Sequence, residues 1–360
     1  MSVLDLVRPE LRALKGYSSA RLEAGLASVM LNANEASQAL VPGPGSSPLH
    51  RYPEPQPSAL VAALARLYGV DDAQILVGRG SDEAIDLLVR ACCRAGQDRI
   101  LICPPTFGMY EVCAAVQGAG IVRVSLRGDA GFALDAEAIS AALEDPGLSI
   151  RIVFVCAPNN PTGSAVPRVL IERLLAASSG RALLVVDEAY LEFADVPSLA
   201  TDLDQWPHLV VLRTLSKAFG LAGVRIGSLL AAPELVAQLK RIMAPYPVPA
   251  PCSDLALAAL AQQAAVALWV AQSRHERSRV EAALRTQGGV LQVWPSQANF
   301  LCFRVADATA TWSALAAHGV LVRNIAHYPQ LENCLRVSIG TPVENDRFLV
   351  ALRDVLGLLP

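Results

Sequence analysis

Short apolar runs that end in polar or glycine residues recur along the first two thirds of the chain. Residues 152–157, 182–186 and 208–212 form three such runs, and all three are rich in valine, leucine and isoleucine. Short runs that are apolar on both faces are typical of strands in a buried parallel sheet. Because ligands bind at the carboxyl ends of such strands, the polar residues that follow each run are candidates for one common site.

Apolar and amphipathic segments continue through the rest of the chain. They predict an α/β fold with a large, mostly parallel central sheet flanked by helices, followed by a smaller α/β domain. Further strands are predicted over 74–77, 99–103, 226–231, 289–294, 298–304 and 335–339, and helices over 58–68, 84–93, 234–243 and 309–318.

Proline clusters divide this pattern. One cluster fills residues 41–48, and four prolines fall at 245, 247, 249 and 251. Such clusters exclude helix and central strand, and 360 residues exceed one ordinary core. We therefore predict an N-terminal arm with part of the small domain at 1–49, a large domain at 50–250, and a linking helix with the small domain at 251–360.

The linking helix is predicted to begin at Ser253 and Asp254, which are good helix N-caps, and to continue toward 274–279. Its apolar part, residues 255–270, is dominated by alanine and carries two glutamines. We interpret this part as a buried helix rather than a membrane span.

Lys217 follows the third apolar run. A sheltered lysine loses its proton readily and attacks carbonyl groups, so Lys217 is either a Schiff-base lysine or a solvated loop lysine. Arg225 lies beyond two glycines and suits bidentate binding of a phosphate. Thr214 and Ser216 add hydroxyl donors for the same anion. The segment therefore favours a lysine that works beside a bound phosphate.

The other two strand ends offer complementary groups. Asp187 ends the second run and can pair with a protonated pyridine nitrogen. Tyr190, three residues later, and Asn160, after the first run, can hydrogen-bond a phenolic oxygen on the same ring. Gly78–Glu83 joins a predicted strand to a predicted helix, so Ser81 and Asp82 at the helix start are candidates for the phosphate.

Three segments, Asn159–Gly163, Asp187–Tyr190 and Thr214–Gly220, resemble the fold-type I pyridoxal-phosphate aminotransferases, and within them the histidinol-phosphate aminotransferase family. The likeness extends from residues 31–35 to 335–341. It implies pyridoxal 5'-phosphate as cofactor and Lys217 as the catalytic residue. It also implies a cytoplasmic homodimer that moves an amino group between histidinol phosphate and 2-oxoglutarate in histidine biosynthesis.

The same resemblance implies roles for six more residues. Phe107 stacks on the pyridine face, and Tyr52 reaches across the dimer interface to the partner's cofactor phosphate. Substrate contacts are implied for Tyr17, Asn34, Arg323 and Arg336, with Arg336 holding the substrate anion and Arg323 assisting it.

Composition removes some functions and leaves others open. A net charge of −3 gives no basic field for nucleic acid, and no segment is spare for a DNA-binding module. Eight scattered cysteines predict reduced core residues of a cytosolic protein and no metal site, and the N-terminal residues do not predict a signal peptide. An aromatic amino-acid aminotransferase or a phosphothreonine-type decarboxylase would keep every cofactor residue, so both alternatives stay open.

Overall fold

A seven-stranded sheet forms the centre of the structure, a computed structural model that describes residues 2–17, 29–43 and 48–358. The strand order is β1-β7-β6-β5-β4-β2-β3, and only β7 runs antiparallel to its neighbours. The strands are β1 (Ile75–Gly78), β2 (Arg99–Ile102), β3 (Gly120–Arg123), β4 (Ile150–Cys156), β5 (Leu183–Asp187), β6 (Leu209–Thr214) and β7 (Gly227–Leu230).

Helices cover both faces of this sheet because its strands are apolar on both faces. Successive residues of β4 point to opposite faces of the sheet. Val153 and Val155 lie in one hydrophobic core, and Ile152 and Phe154 lie in the other. The helices of this part are α1 (Pro9–Arg12), α2 (Ser58–Tyr68), α3 (Ser81–Cys92), α4 (Met109–Gln117), α5 (Ala136–Glu144), α6 (Arg168–Ser178) and α7 (Pro233–Ile242).

A second, antiparallel sheet of four strands follows in the order β10-β11-β9-β8 and packs against helices around a third core. The predicted fold class is confirmed, whereas the domain bounds stay a prediction. The remaining elements are α8 (Ala250–Leu260), α9 (Gln263–Thr286), β8 (Val290–Val293), β9 (Phe300–Val305), α10 (Ala308–Ala317), β10 (Arg323–Asn324), β11 (Cys334–Ser338) and α11 (Pro342–Leu358).

The prediction of one long buried linking helix is wrong. Two helices, α8 and α9, replace it and are bent by 75°. Helix α8 begins before Ser253, since Pro249 is its N-cap and Pro251 fits the first turn, where no backbone N–H is needed. The alanine-rich part is largely exposed, with Leu268 74% accessible. Alanine favours helix whether or not the helix is buried, so the composition indicated a helix without indicating its burial.

Apart from α1, which has only four residues, four helices had no prediction. For two of them a signal was present: Asp135 accepts a hydrogen bond from the Ala138 N–H at the start of α5, and Thr341 with Glu344 forms a reciprocal cap before α11. The other two, α4 and α6, follow Gly108 and Pro167 without a side-chain cap. Their starts therefore leave no local mark in the sequence.

Two further findings concern the apolar parts of the chain. All eight cysteines are free, and seven of them are buried. Within the described ranges, no single helix is long and apolar enough to cross a bilayer, and α8 with α9 meets that length and composition only as a bent pair.

The main chain of β7 passes directly over the start of α3. A Cβ at Gly227 would overlap the carbonyl carbon of Gly80 and the nitrogen of Ser81. Backbone atoms cannot rotate away as a side chain can, so this crossing requires glycine.

We expect Gly227→Ala to lower the free energy of unfolding by about 1–3 kcal/mol, because the added methyl group overpacks the crossing. Urea unfolding followed by circular dichroism measures the change. Gly223→Ala is the matched control, since a Cβ at Gly223 meets no atom within 4 Å. Equal unfolding midpoints for the two variants would contradict the steric argument.

Candidate active site

Three neighbouring parallel strands end at one edge of the large sheet. Cys156 of β4 pairs with Asp187 of β5, which pairs with Leu212 of β6, so the carboxyl ends of these strands are level. A hollow of about 140 Å³ lies at this edge. Ten residues predicted from the sequence line it: Ser81, Asp82, Phe107, Asn160, Asp187, Tyr190, Thr214, Ser216, Lys217 and Arg225.

Asp187 lies on the wall of the hollow and is only 2% exposed. Its Oδ1 accepts a hydrogen bond from the Ala189 N–H at 3.1 Å, and its Oδ2 accepts one from the Tyr110 hydroxyl at 2.7 Å. Burial raises the pKa of Asp187 to about 6, and the two hydrogen bonds and the charge of Lys217 oppose that rise. The structure therefore presents a carboxyl group that ionises near neutral pH and readily accepts a cationic partner.

Lys217 lines the same hollow. Its Nζ is 5.5 Å from the centroid of the Tyr190 ring. Burial lowers the pKa of Lys217, and the positive charge of Arg336 adds to that effect, whereas Asp82 and Asp187 oppose it. An amine with a lowered pKa is more often unprotonated, which is the form that attacks a carbonyl group or accepts a proton.

Asn160 connects the large sheet to the small one. Its Nδ2 donates a hydrogen bond to the Tyr190 hydroxyl at 3.3 Å, and its Oδ1 accepts one from Nη1 of Arg336. Arg336 lies on β11, with its guanidinium 5.1 Å from the centroid of the Phe300 ring. An arginine of the small sheet is thus brought to the rim of the hollow from 176 residues away.

Positive and main-chain groups cluster at the opposite end of the hollow. Arg225 makes a 3.2 Å ion pair with Asp82 at the start of α3. The side chain of Arg225 also lies against Gly80, where a Cβ would come within 2.6 Å of Nη2. The first N–H groups of a helix have no partner inside the helix, so this end suits an anion held by main chain and guanidinium together.

Two hydroxyl residues and one ring complete the lining. Thr214 is buried, and its Oγ1 accepts a hydrogen bond from the Ser216 N–H at 3.1 Å, which orders the turn before Lys217. Phe107 meets the Tyr110 ring edge to face, with centroids 5.6 Å apart. The hollow therefore combines an anion end, an apolar ring, an amine and a carboxylate, which suits a flat, phosphorylated heteroaromatic aldehyde.

Five predicted residues do not line the hollow, and three of them belong to the first 52 residues of the chain. Tyr17 is 72% exposed, and Asn34 is also exposed. Tyr52 is stacked on Tyr246 with centroids 4.6 Å apart, and its backbone N–H donates to Glu35. One chain therefore leaves these side chains outside the site.

Arg323 lies beside Arg336 rather than in the hollow itself. The two residues are direct partners in the pairing of β10 with β11, so their side chains project from the same face of the small sheet. Both line a wide depression of about 520 Å³. Two guanidinium groups thus share one surface next to the hollow.

Tyr110 had no predicted role in the site. It lies on α4 and its hydroxyl reaches Asp187, which is 77 residues away. No local pattern indicates that contact, because it depends on how α4 packs on the sheet. Cys156 also lines the hollow and had no predicted role in the site.

A family model described as "Aminotransferase class I and II" matches residues 26–352. The chain belongs to the class I and II aminotransferases. This aminotransferase is 51% identical over 359 residues to the histidinol-phosphate aminotransferase of Xylella fastidiosa (strain Temecula1), covering 98% of this chain and 97% of that relative. The family predicted from the sequence motifs is thereby confirmed.

Two solved structures share the fold of the aminotransferase. One is histidinol-phosphate aminotransferase from Sinorhizobium meliloti in complex with pyridoxal-5'-phosphate, with a TM-score of 0.77, 28% identity, and coverage of 87% of this chain and 84% of that one. The other is L-threonine-O-3-phosphate decarboxylase from Porphyromonas gingivalis, with a TM-score of 0.73, 25% identity, and coverage of 86% of this chain and 91% of that one. Enzymes named for different reactions share this architecture, so the fold alone does not select a substrate.

We expect the cofactor-free protein to show the raised pKa of Asp187 in its stability. The pKa is about 6 in the folded protein against an ordinary 3.8, so the proton contributes stability that is present below about pH 4 and lost as the pH rises to about 6. That loss is about 3 kcal/mol, and roughly half of it falls between pH 5 and 8. The side chain of the variant Asp187→Asn does not ionise. Its free energy of unfolding should therefore rise relative to that of the wild type as the pH goes from 5 to 8.

Urea unfolding of both proteins at several pH values measures the difference. The exposed Asp129→Asn serves as control for the amide substitution itself. A difference between Asp187→Asn and wild type that stays constant from pH 5 to 8 would show that Asp187 titrates normally.

Proposed function

We propose that this chain is a pyridoxal-phosphate-dependent aminotransferase that moves an amino group between histidinol phosphate and 2-oxoglutarate, giving imidazole acetol phosphate and glutamate in histidine biosynthesis. The observation that carries the proposal is 51% identity to a histidinol-phosphate aminotransferase along 98% of the chain. The cytoplasm is the proposed location.

The anion end of the hollow holds the cofactor phosphate. Arg225 supplies a bidentate guanidinium, and Thr214 and Ser216 supply hydroxyl groups. Ser81 and Asp82 contribute main-chain N–H groups from the first turn of α3. The close contact of Gly227 with the start of α3 supports this assignment. Gly227 begins β7, two residues after Arg225, so the contact holds the start of α3 near Arg225.

The other end holds the ring. Asp187 pairs with the ring nitrogen, Asn160 and Tyr190 hydrogen-bond the ring oxygen, and Phe107 packs on the ring face. The 3.3 Å hydrogen bond between Asn160 and Tyr190 supports the pairing, because it aims both polar groups at one point.

When bound, pyridoxal phosphate supplies an aldehyde that takes up an amino group and a ring that stabilises negative charge. Lys217 is the catalytic residue: its Nζ would hold the cofactor covalently and, once free, would carry the proton from the substrate carbon to the carbon of the cofactor's aldehyde group. The lowered pKa of Lys217 supports this role, since the unprotonated amine is the proton acceptor.

The two arginines of the small sheet bind the substrate anion. Arg336 suits both a phosphate monoester and a carboxylate, because its planar fork binds either bidentately. Arg323 adds a second positive charge where the phosphate carries nearly two negative ones. Their direct pairing across β10 and β11 supports joint action on one anion. Tyr17 and Asn34 are further substrate contacts in this proposal.

The active unit is a homodimer in which Tyr52 contacts the cofactor phosphate of the partner. Tyr52 is 47% exposed and lies away from the hollow of its own chain. Large apolar side chains are also exposed on the arm and on α9, among them Leu31, Leu40 and Leu268. Exposed apolar surface of this extent supports a second chain that covers it.

We expect Arg323→Ala to lower kcat/KM for histidinol phosphate about 10-fold more than for glutamate, because the doubly charged phosphate loses a charged hydrogen-bond partner. Steady-state assays with each donor measure the two values. Arg353→Ala, an exposed arginine of α11, is the matched control. Equal losses for both donors, or a far better reaction with an aromatic amino acid, would sink the substrate assignment and leave the aminotransferase assignment standing.

We expect Lys217→Ala to have no turnover and Tyr52→Ala to be strongly impaired, yet a mixture of the two to recover activity. In a mixed dimer one site combines an intact Lys217 with an intact Tyr52 from the other chain. The mixture is unfolded and refolded together, and glutamate formation is measured against each variant refolded alone. No recovery, with light scattering showing dimers, would place Tyr52 in its own chain's site or outside both.

A further inference from the structure

Tyr110 is a buried tyrosine whose hydroxyl is aimed at the carboxylate in the hollow. It is fully buried on α4, and the hydroxyl lies 2.7 Å from Oδ2 of Asp187. Its ring is stacked on Phe154, with centroids 4.5 Å apart and planes 8° from parallel, and Phe107 packs against its edge. With the ring held from two sides, the hydroxyl cannot rotate away from Asp187.

The direction of this hydrogen bond is fixed by the chemistry of the pair. Burial and the charge of Asp187 raise the pKa of Tyr110 well above its ordinary value, so the hydroxyl keeps its proton. A protonated hydroxyl beside a carboxylate donates, and Asp187 accepts. Tyr110 therefore donates to Asp187 when Asp187 is ionised.

Two donors define the orientation of Asp187. The Ala189 N–H donates to Oδ1 and the Tyr110 hydroxyl donates to Oδ2. Each carboxylate oxygen can accept two hydrogen bonds, so both oxygens retain acceptor capacity toward the hollow. In the part of the chain that the structure describes, Tyr110 is the one side chain that donates to Asp187. The orientation can thus be perturbed by a single side-chain substitution.

We propose that Tyr110 is a positioning residue that holds Asp187 as an oriented carboxylate, so that the proton shared with the cofactor's ring nitrogen stays on the nitrogen. This inference rests on the proposed function, because it requires pyridoxal phosphate in the hollow. Two neutral donors stabilise the ionised carboxylate in an apolar site, where burial alone favours the protonated acid. Without the hydroxyl of Tyr110, the proton moves toward Asp187 and the ring becomes a weaker electron acceptor.

Among the groups around Asp187, the Tyr110 hydroxyl is the one whose removal tests where this proton lies. Cys156 is its direct neighbour on β4, and burial raises the pKa of that thiol, so Cys156 brings no charge. Lys217 and Asp82 act on Asp187 through their charges alone and in opposite directions. The Tyr110 hydroxyl is the group whose removal changes hydrogen bonding at Asp187 and leaves every charge in place.

The test uses the full-length holoenzyme with Tyr110→Phe, which keeps the ring and its stacking on Phe154. The ring nitrogen of the cofactor is labelled with ¹⁵N, and its chemical shift, which differs between protonated and unprotonated pyridine, is measured by NMR. We expect the wild type to give the protonated shift, and Tyr110→Phe to move toward the unprotonated one, with about 10-fold weaker cofactor affinity. Tyr68→Phe, another buried tyrosine of the large domain, should match the wild type.

A double-mutant comparison separates positioning from general packing. In an Asp187→Ala background, Tyr110→Phe should cause no further loss of cofactor affinity, since the acceptor of the hydrogen bond that it removes is already absent. An equal loss in both backgrounds, or an unchanged ¹⁵N shift in Tyr110→Phe, would overturn the inference. A wild-type protein that fails to bind pyridoxal phosphate would overturn the proposed function instead, so the two failures are distinguishable.

Discussion

The in-register parallel pairing of β4, β5 and β6 is the constraint on which the site depends. It sets Cys156, Asp187 and Leu212 side by side, so three separate segments of sequence begin their turns at one edge. Side chains alternate between the two faces of a strand, so a slip of one residue would exchange Asp187 for a neighbour on the other face. Every residue of β5 and β6 is buried, so a slip would move buried polar side chains such as Asp187 and Arg213 away from their hydrogen-bond partners.

Two adjacent carboxylates at the end of β5 show how the fold treats the same chemical group differently. Glu188 is buried and makes a 2.8 Å ion pair with Arg213, which satisfies its charge inside the protein. Asp187 is equally buried, yet its hydrogen-bond donors within the described residues are a neutral hydroxyl and a neutral amide. Burial raises the pKa of both groups. One carboxylate thus stabilises the turn, and the other keeps its charge for a cationic ligand.

Much of the centre of the fold could be predicted from the sequence, because continuous aliphatic runs mark buried parallel strands. The polar residues at the carboxyl ends of neighbouring parallel strands lie at one edge of the sheet. The sequence therefore predicts that Asn160, Asp187 and Lys217 lie close together. Contacts made by packing between distant segments left no such mark. The hydrogen bond from Tyr110 to Asp187 depends on how α4 packs on the large sheet, and the one from Arg336 to Asn160 depends on how the two sheets pack together. The local sequence pattern does not predict either packing arrangement.

The crossing of Gly80 and Gly227 has a consequence for how such an enzyme can diverge. At this end of the hollow part of the surface is main chain, whose shape and N–H groups do not depend on which side chains are encoded. Evolution cannot retune it by ordinary substitution, and a side chain at either glycine would obstruct it. Beside the hollow, the side chains of Arg323 and Arg336 stand on a separate sheet, where substitution can alter them without disturbing that main chain. This arrangement favours the evolution of enzymes that keep the same cofactor chemistry and change their substrate.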